Sequence, residues 1–430
     1  MTTAISLKKP YICFIAARLS NLVSDLRAEM PRLARPPTST KYFMLKLARR
    51  RLTASRHALR NARDWLTLSN DLVQAGHTPY EVIAEDDIIR LRYYPPLTES
   101  QITIDGKTID VEAQPFPIPL VIVSPLAVNM LIYDLFPERS LVRFLRARGF
   151  ELYLVDWGTP SARHNHQSLA TYFADFLPAL LQKVREHSGS QKLSLHGWSF
   201  GGMFSYCATA LGDNDIVNLA LVGAPNDYHV NGDLGRQYQR LSKQLRWIER
   251  RWGWRVHDSR KRFFRAPGWG NALGFKLTNP IGSLQGYTEL LKNLHDRHFV
   301  SAHATNAAFL DRMVAYPGAV VQDFIQYLWV DNVLAHGHLP MPNSKSVLKN
   351  IQANILAIVG KQDIIVTKEC TSALLDQVSS TDTTFVEVDG GHMGIVSGSK
   401  APSQSWWLMA DWLAERSGTR KKTHKSRKAS

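Results

Sequence analysis

The spacing of apolar residues changes period along the chain, and the changes divide it. Up to about residue 76 the pattern is helical: "KYFMLKLARRRLTASRHALRNARDWLTLSNDLV" sets apolar residues at irregular helical intervals with basic residues between. The stretch "ARPPTST" (34–40) breaks the pattern ahead of it. From Ile88 the period shortens, and "IIRLRYY" alternates as a strand does. Continuous apolar runs then appear at "IPLVIVSPL" (118–126), "ELYLVDWG" (151–158), "KLSLHG" (192–197) and "IVNLALVGAPND" (216–227). Such runs predict strands buried on both faces. Between them, "PERSLVRFLRARGF" (137–150), "LATYFADFLPALLQKVREHSG" (169–189) and "GGMFSYCATALG" (201–212) read as helices.

This alternation predicts an α/β protein with a mostly parallel sheet covered by helices on both faces. It stops at Tyr228 and resumes with a strand at "NILAIVGKQD" (354–363), a helix near 367–378, a strand at "TTFVEVDGGH" (383–392) and a helix at "SWWLMADWLAER" (405–416). The expected organisation is a helical N-terminal extension over 1–76, a core over 77–227 and 351–416, a helical insertion over 228–350, and a disordered tail over 417–430.

Charge sharpens the division. The net charge is +15, yet residues 1–60 hold 13 Lys/Arg against 2 Asp/Glu, and the residues from Arg416 onward hold 7 Lys/Arg and no acid. The body between them is slightly acidic, so the basicity belongs to the ends. Basic ends serve solubility, or attraction to an anionic surface. No apolar run approaches the roughly 20 residues that span a bilayer, and "YICFIAA" after Lys8 and Lys9 is short for a secretory signal. Cys13, Cys207 and Cys370 are widely spaced and match no metal motif, which predicts no metal site, reduced thiols and a cytoplasmic location. The basic ends add a granule or inner membrane as a surface of attachment.

The chemistry concentrates at "HGWSFGG" (196–202). A Gly-x-Ser-x-Gly is weak alone, but this one follows an expected strand and opens an expected helix, the setting of an exposed nucleophile at the C-terminal edge of a sheet. Ser199 is therefore the candidate nucleophile, set against a plain tight turn. A serine needs a base, and the base needs a carboxylate. Asp363 and His392 each follow an expected strand, at the same sheet edge and in the order Ser, Asp, His. The plainer readings are a helix N-cap for Asp363 and a turn residue for His392. Asp227 is the reserve acid. Asp156 precedes the serine, and His196, adjoining the elbow, points away from it. The oxyanion donors are expected at the backbone N–H of Phe200 and, after the 118–124 strand, at Leu126 or Ala127.

With these residues in view, the chain resembles the polyhydroxyalkanoate synthases of the α/β-hydrolase superfamily, most nearly the class III catalytic subunit. "TPYEVI" (78–83), "SPLAVNMLIYDLFPERSLVRFL" (124–145), "YLVDWGTP" (153–160), the elbow, "GAPNDY" (223–228), "GKQD" (360–363) and "GGHMGIVSGSKA" (390–401) carry the resemblance. It implies an α/β-hydrolase fold with a helical lid between the fifth and sixth parallel strands. It also implies hydroxyacyl-CoA as substrate, polyester as product, and position 199, Asp363 and His392 as nucleophile, acid and base. The family carries cysteine at the nucleophile, and this chain carries Ser199. Serine forms an oxygen ester downhill from a thioester, which suits an acyltransferase, thioesterase or depolymerase better than thioester-based chain growth.

Within the insertion, "RQYQRLSKQLRWIERRWGWRVHDSRKRFFR" (236–265) holds 11 Lys/Arg, 2 Asp/Glu and three tryptophans. It reads as a solvated face, as a contact for CoA phosphates, or as a lipid or granule surface. No nucleic-acid motif accompanies it. The expected function is a serine acyltransferase or hydrolase acting on hydroxyacyl-CoA or polyhydroxyalkanoate-type esters through an acyl-enzyme. No tightly bound cofactor is expected, coenzyme A enters as the substrate thioester, and a second copy or an accessory subunit is an expected partner. The alternative is a non-catalytic synthase-like partner held at a granule or membrane by its basic ends.

Overall fold

The computed structural model describes residues 38–278, 280–344 and 347–419. The expectations for the first 37 residues, including Cys13, and for the tail beyond 419 lie outside them. The chain divides into two compact units at Arg60 and Asn61. Helix α1 spans Thr38–Thr67, and all elements named below belong to the second unit.

That unit opens with the antiparallel pair β1 (Glu81–Asp86) and β2 (Ile89–Tyr94). A small hairpin follows, β3 (Gln101–Ile104) and β4 (Lys107–Asp110). Its Asp105–Gly106 turn has φ of 50° and 72°, the left-handed pair that a two-residue hairpin needs. Then come β5 (Leu120–Val123), the short pair β6 (Asp134–Phe136) and β7 (Arg139–Ser140), α2 (Leu141–Ala147), β8 (Leu152–Asp156), α3 (Leu177–Ser188), β9 (Leu193–Trp198), α4 (Phe200–Ala210) and β10 (Ile216–Val222). The stretch to the next strand is helical: α5 (Gly232–Trp252), α6 (Gly268–Thr278), α7 (Pro280–Lys292), α8 (Arg297–Asp311) and α9 (Gly318–Asp323). The chain returns with β11 (Asn354–Gly360), α10 (Lys368–Ser372), β12 (Thr383–Val388), α11 (Gly394–Ser397) and α12 (Trp407–Arg416).

The main sheet runs β1-β2-β8-β5-β9-β10-β11-β12. From β8 to β12 neighbouring strands are parallel, whereas β2 runs antiparallel to β8. The inner parallel strands are mostly apolar because successive side chains face opposite layers and both layers are covered, whereas β12 at the edge keeps Thr383 and Glu387 exposed. On one face Val121, Leu195, Leu219 and Leu221 pack with Leu177 and Leu181 of α3 and Phe204 of α4. On the other, Ile122, Leu154, Ala220 and Ile358 pack with Phe144 of α2 and Met409 and Leu413 of α12.

The helical stretch follows β10, the fourth parallel strand in chain order, not the fifth as the resemblance implies. The strand that upsets the count is β2, which pairs antiparallel to β8. Among the described residues no helix is long and apolar enough to cross a membrane.

Candidate active site

Ser199 sits between β9 and α4, with φ 54° and ψ −126°. A non-glycine residue holds such a backbone only where its surroundings force it. Its N–H donates to the Val222 carbonyl of β10 (2.9 Å), and its own carbonyl accepts from Gly202 (3.0 Å) and Met203 (3.1 Å), starting the helix. The flanking glycines are steric requirements. A Cβ on Gly197 would lie 2.4 Å from Gly201 backbone atoms, and one on Gly201 would lie 2.0 Å from the Val123 carbonyl oxygen at the end of β5. The elbow can therefore close only if both positions lack side chains.

His392 and Asp363 follow β12 and β11, at the same edge of the sheet. His392 Nδ1 and Asp363 Oδ2 are 2.7 Å apart. A carboxylate only accepts, so Nδ1 carries the hydrogen and Nε2 of the neutral ring keeps its lone pair. The other carboxylate oxygen, Oδ1, accepts from the Ile365 and Val366 amides, both at 2.9 Å. The Asp363 side chain is wholly shielded from water and that of His392 is 6% exposed, so little solvent competes for this bond. The N-cap of α10 is Thr367, which leaves Asp363 free of that task.

Two residues that sequence reasoning passed over hold the imidazole. Gly223, at the end of β10, has φ 54°, and a Cβ there would lie 3.2 Å from His392 Cε1 and Nδ1. Its presence in "GAPND", directly after a strand, is the signal that could have found it. Trp198 donates its indole N–H to the His392 carbonyl at 3.0 Å, and its ring centroid lies 5.3 Å from the imidazole.

The remaining candidates have other partners. Asp227 Oδ1 accepts from the His229 amide (2.9 Å) and Asn332 Nδ2 (2.8 Å). Asp156 pairs with Arg92 and caps the Gly158 amide. His196 is buried, with Nδ1 3.0 Å from the Ala220 carbonyl. Burial pushes its pKa down to about 4, so the ring stays neutral. Burial also pushes the Cys207 and Cys370 thiols up, which keeps both protonated and unreactive.

Phe200 is the first residue of α4, where helical geometry supplies no intrahelical acceptor for the N–H. Its ring stacks on Phe324 with centroids 4.5 Å apart. Leu126 and Ala127 follow β5, whose Val123 pairs with Gly197, and Ala127 holds φ 65°.

A sharp strand–serine–helix turn over a parallel sheet, with a buried carboxylate–imidazole pair on the adjoining loops, defines a class. The chain belongs to the alpha/beta hydrolase fold family, whose profile matches residues 129–399. Within that class it is similar to poly(3-hydroxyalkanoate) polymerase subunits. It is 29% identical over 352 residues to that of Haloferax mediterranei, covering 81% of this chain and 66% of the relative. For the subunit of Haloarcula marismortui the identity is 26%, covering 80% and 69%. For that of Allochromatium vinosum it is 26%, covering 81% and 92%. Relatives named polymerases and a hydrolase fold together mark the chain as an enzyme.

Proposed function

We propose that the protein is a serine-nucleophile acyltransferase or hydrolase of polyhydroxyalkanoate synthase-like type. Its substrates are hydroxyacyl-CoA or polyhydroxyalkanoate-type esters. The observation that carries the reading is the strained Ser199 at the same sheet edge as the buried His392–Asp363 pair.

In the first half-reaction Ser199 Oγ attacks the acyl carbonyl while His392 Nε2 takes its proton. The oxyanion forms against the Phe200 amide and that of Leu126 or Ala127. The carbon–sulfur bond then breaks, and His392 returns the proton to the departing CoA thiolate. Asp363 holds the imidazole in one tautomer and stabilises its charged form. In the second half-reaction His392 deprotonates water or a hydroxyl, which attacks the serine ester and restores Ser199. With serine the first step runs downhill from the thioester, and the second exchanges one oxygen ester for another at nearly equal free energy or ends in hydrolysis. On this reading the 228–350 insertion is a lid over the acyl site. The enzyme works in the cytoplasm, where its basic ends hold it at a granule or inner-membrane surface.

The test is to incubate the purified protein with 3-hydroxyacyl-CoA, and separately with a soluble polyester, and to measure free CoA, free acid and polymer. Wild-type protein is expected to release CoA or acid and to be labelled by an organophosphonate. Ser199→Ala should lose the labelling and at least about a thousandfold in turnover with its fold intact. Wild-type protein that is inert in every arm and resists the phosphonate would instead be a non-catalytic partner.

A further inference from the structure

Helix α5 has two faces of different character. One packs on the protein body. Tyr238 stacks on Trp329 with centroids 5.1 Å apart, and Ser242 Oγ donates to the Val330 carbonyl at 2.7 Å. Arg246 reaches the same carbonyl at 3.3 Å. The other face lies in solvent. At about 100° of rotation per residue, Arg240, Lys243, Arg250 and Arg251 fall within an arc of about 100° around Trp247. All five are exposed. Arg236 shares this face but is paired with Asp233. Arg255 turns to Glu249 and Asp331. Arg240, Lys243, Arg250 and Arg251 have no acidic partner among the described residues.

The tryptophans are the informative part. Trp247 is 54% exposed and Trp252 63% exposed, and their rings meet edge to face with centroids 5.1 Å apart. A solvated helix needs cations for solubility but has no use for an exposed indole pair. Indoles flanked by unpaired cations match the boundary of an anionic bilayer. There the ring enters the acyl edge, the N–H stays hydrated, and guanidinium and ammonium groups meet lipid phosphates.

We propose that this face of α5 docks the protein on an anionic lipid surface. Trp247 and Trp252 enter the headgroup region, and Arg240, Lys243, Arg250 and Arg251 contact phosphates. The excess of unpaired cations selects anionic lipid over a neutral polyester surface by charge complementarity. The packed face of α5 leads inward to the segment 324–330, whose Phe324 stacks on Phe200 beside the elbow. The docked surface is thus one element away from Ser199. The proposal does not depend on the catalytic reading.

Full-length protein is co-sedimented with phosphatidylcholine vesicles and with vesicles of equal parts phosphatidylglycerol and phosphatidylcholine, across a salt series. Wild-type protein is expected to prefer the anionic vesicles. The variant R240E/K243E/R250E/R251E should bind them about tenfold or more weakly. W247A/W252A should bind at least about threefold more weakly, with the deficit persisting at high salt, where charge attraction is screened. Turnover of a short soluble ester and far-ultraviolet circular dichroism serve as fold controls, and both should match wild type. Unchanged vesicle binding by both variants overturns the proposal. So does a deficit confined to the charge variant and matched by an equal loss on a DNA duplex, which would make the face a general polyanion contact.

Discussion

Ser199 is held at φ 54° by contacts on both sides of the turn, with β10 through its amide and with α4 through its carbonyl. A backbone of this kind costs about 1–3 kcal/mol in a non-glycine residue. Glycine reaches it freely. Ser199→Gly is therefore expected to raise the melting temperature by about 1 °C while abolishing ester turnover, with about 1 kcal/mol of strain relieved. Calorimetry beside an esterase assay measures both, and a melting temperature lowered by the glycine would show that the turn is unstrained. The candidate nucleophile was legible because glycine spacing and a flanking strand are local properties. The carboxylate was legible less sharply, with Asp363 first and Asp227 in reserve, since each follows a strand. Only their neighbours separate them: Asn332 and the 229 amide for one, His392 and the 365 and 366 amides for the other.

At the scale of elements, the ends of β9, β10, β11 and β12 bring the site together, and Gly223 sets the clearance between them. Its N–H donates to the Ile358 carbonyl at 2.8 Å, and its missing side chain leaves space for the imidazole. Gly223→Ala puts a methyl group against His392 and forces alanine into a left-handed backbone. The expected result is a kcat about 10–100-fold lower with KM little changed, at a stability cost of about 1–3 kcal/mol. A wild-type kcat would show that the end of β10 does not set the imidazole position. The buried strands were legible as elements because their apolar runs are continuous. β1 was not, since Glu81, Glu85 and Asp86 keep it polar and its residues are at most half-buried. The β3–β4 hairpin does carry a signal, "ITIDGKTI", in which alternation brackets an Asp-Gly turn.

At the scale of the whole molecule, stability carries a pH dependence from His196. Folding lowers its pKa to about 4, whereas a free imidazole titrates near 6.5. Between those values the unfolded chain binds the proton and the folded protein does not. The contribution is therefore complete above about pH 6.5 and is lost as pH falls toward 4. From pH 7 to pH 5 the loss is on the order of 2 kcal/mol. His196→Asn keeps an N–H donor for the Ala220 carbonyl but cannot titrate, so its urea midpoint is expected to fall less than that of wild type over this interval. Equal losses would mean that His196 is hydrated in the folded state. Local pattern was enough for the alternation of buried strands and covering helices, the strand–serine–helix junction and the basic ends, because periodicity, glycine spacing and charge runs are written within a few residues. The folded arrangement was needed to show that β2 runs antiparallel and that the helical stretch follows the fourth parallel strand. It also separated Asp363 from the reserve Asp227 as the partner of His392, and set which face of α5 presents Trp247 to solvent. Each of these depends on pairings across the sheet or between distant segments, as with Tyr238 and Trp329, and local sequence pattern does not encode them.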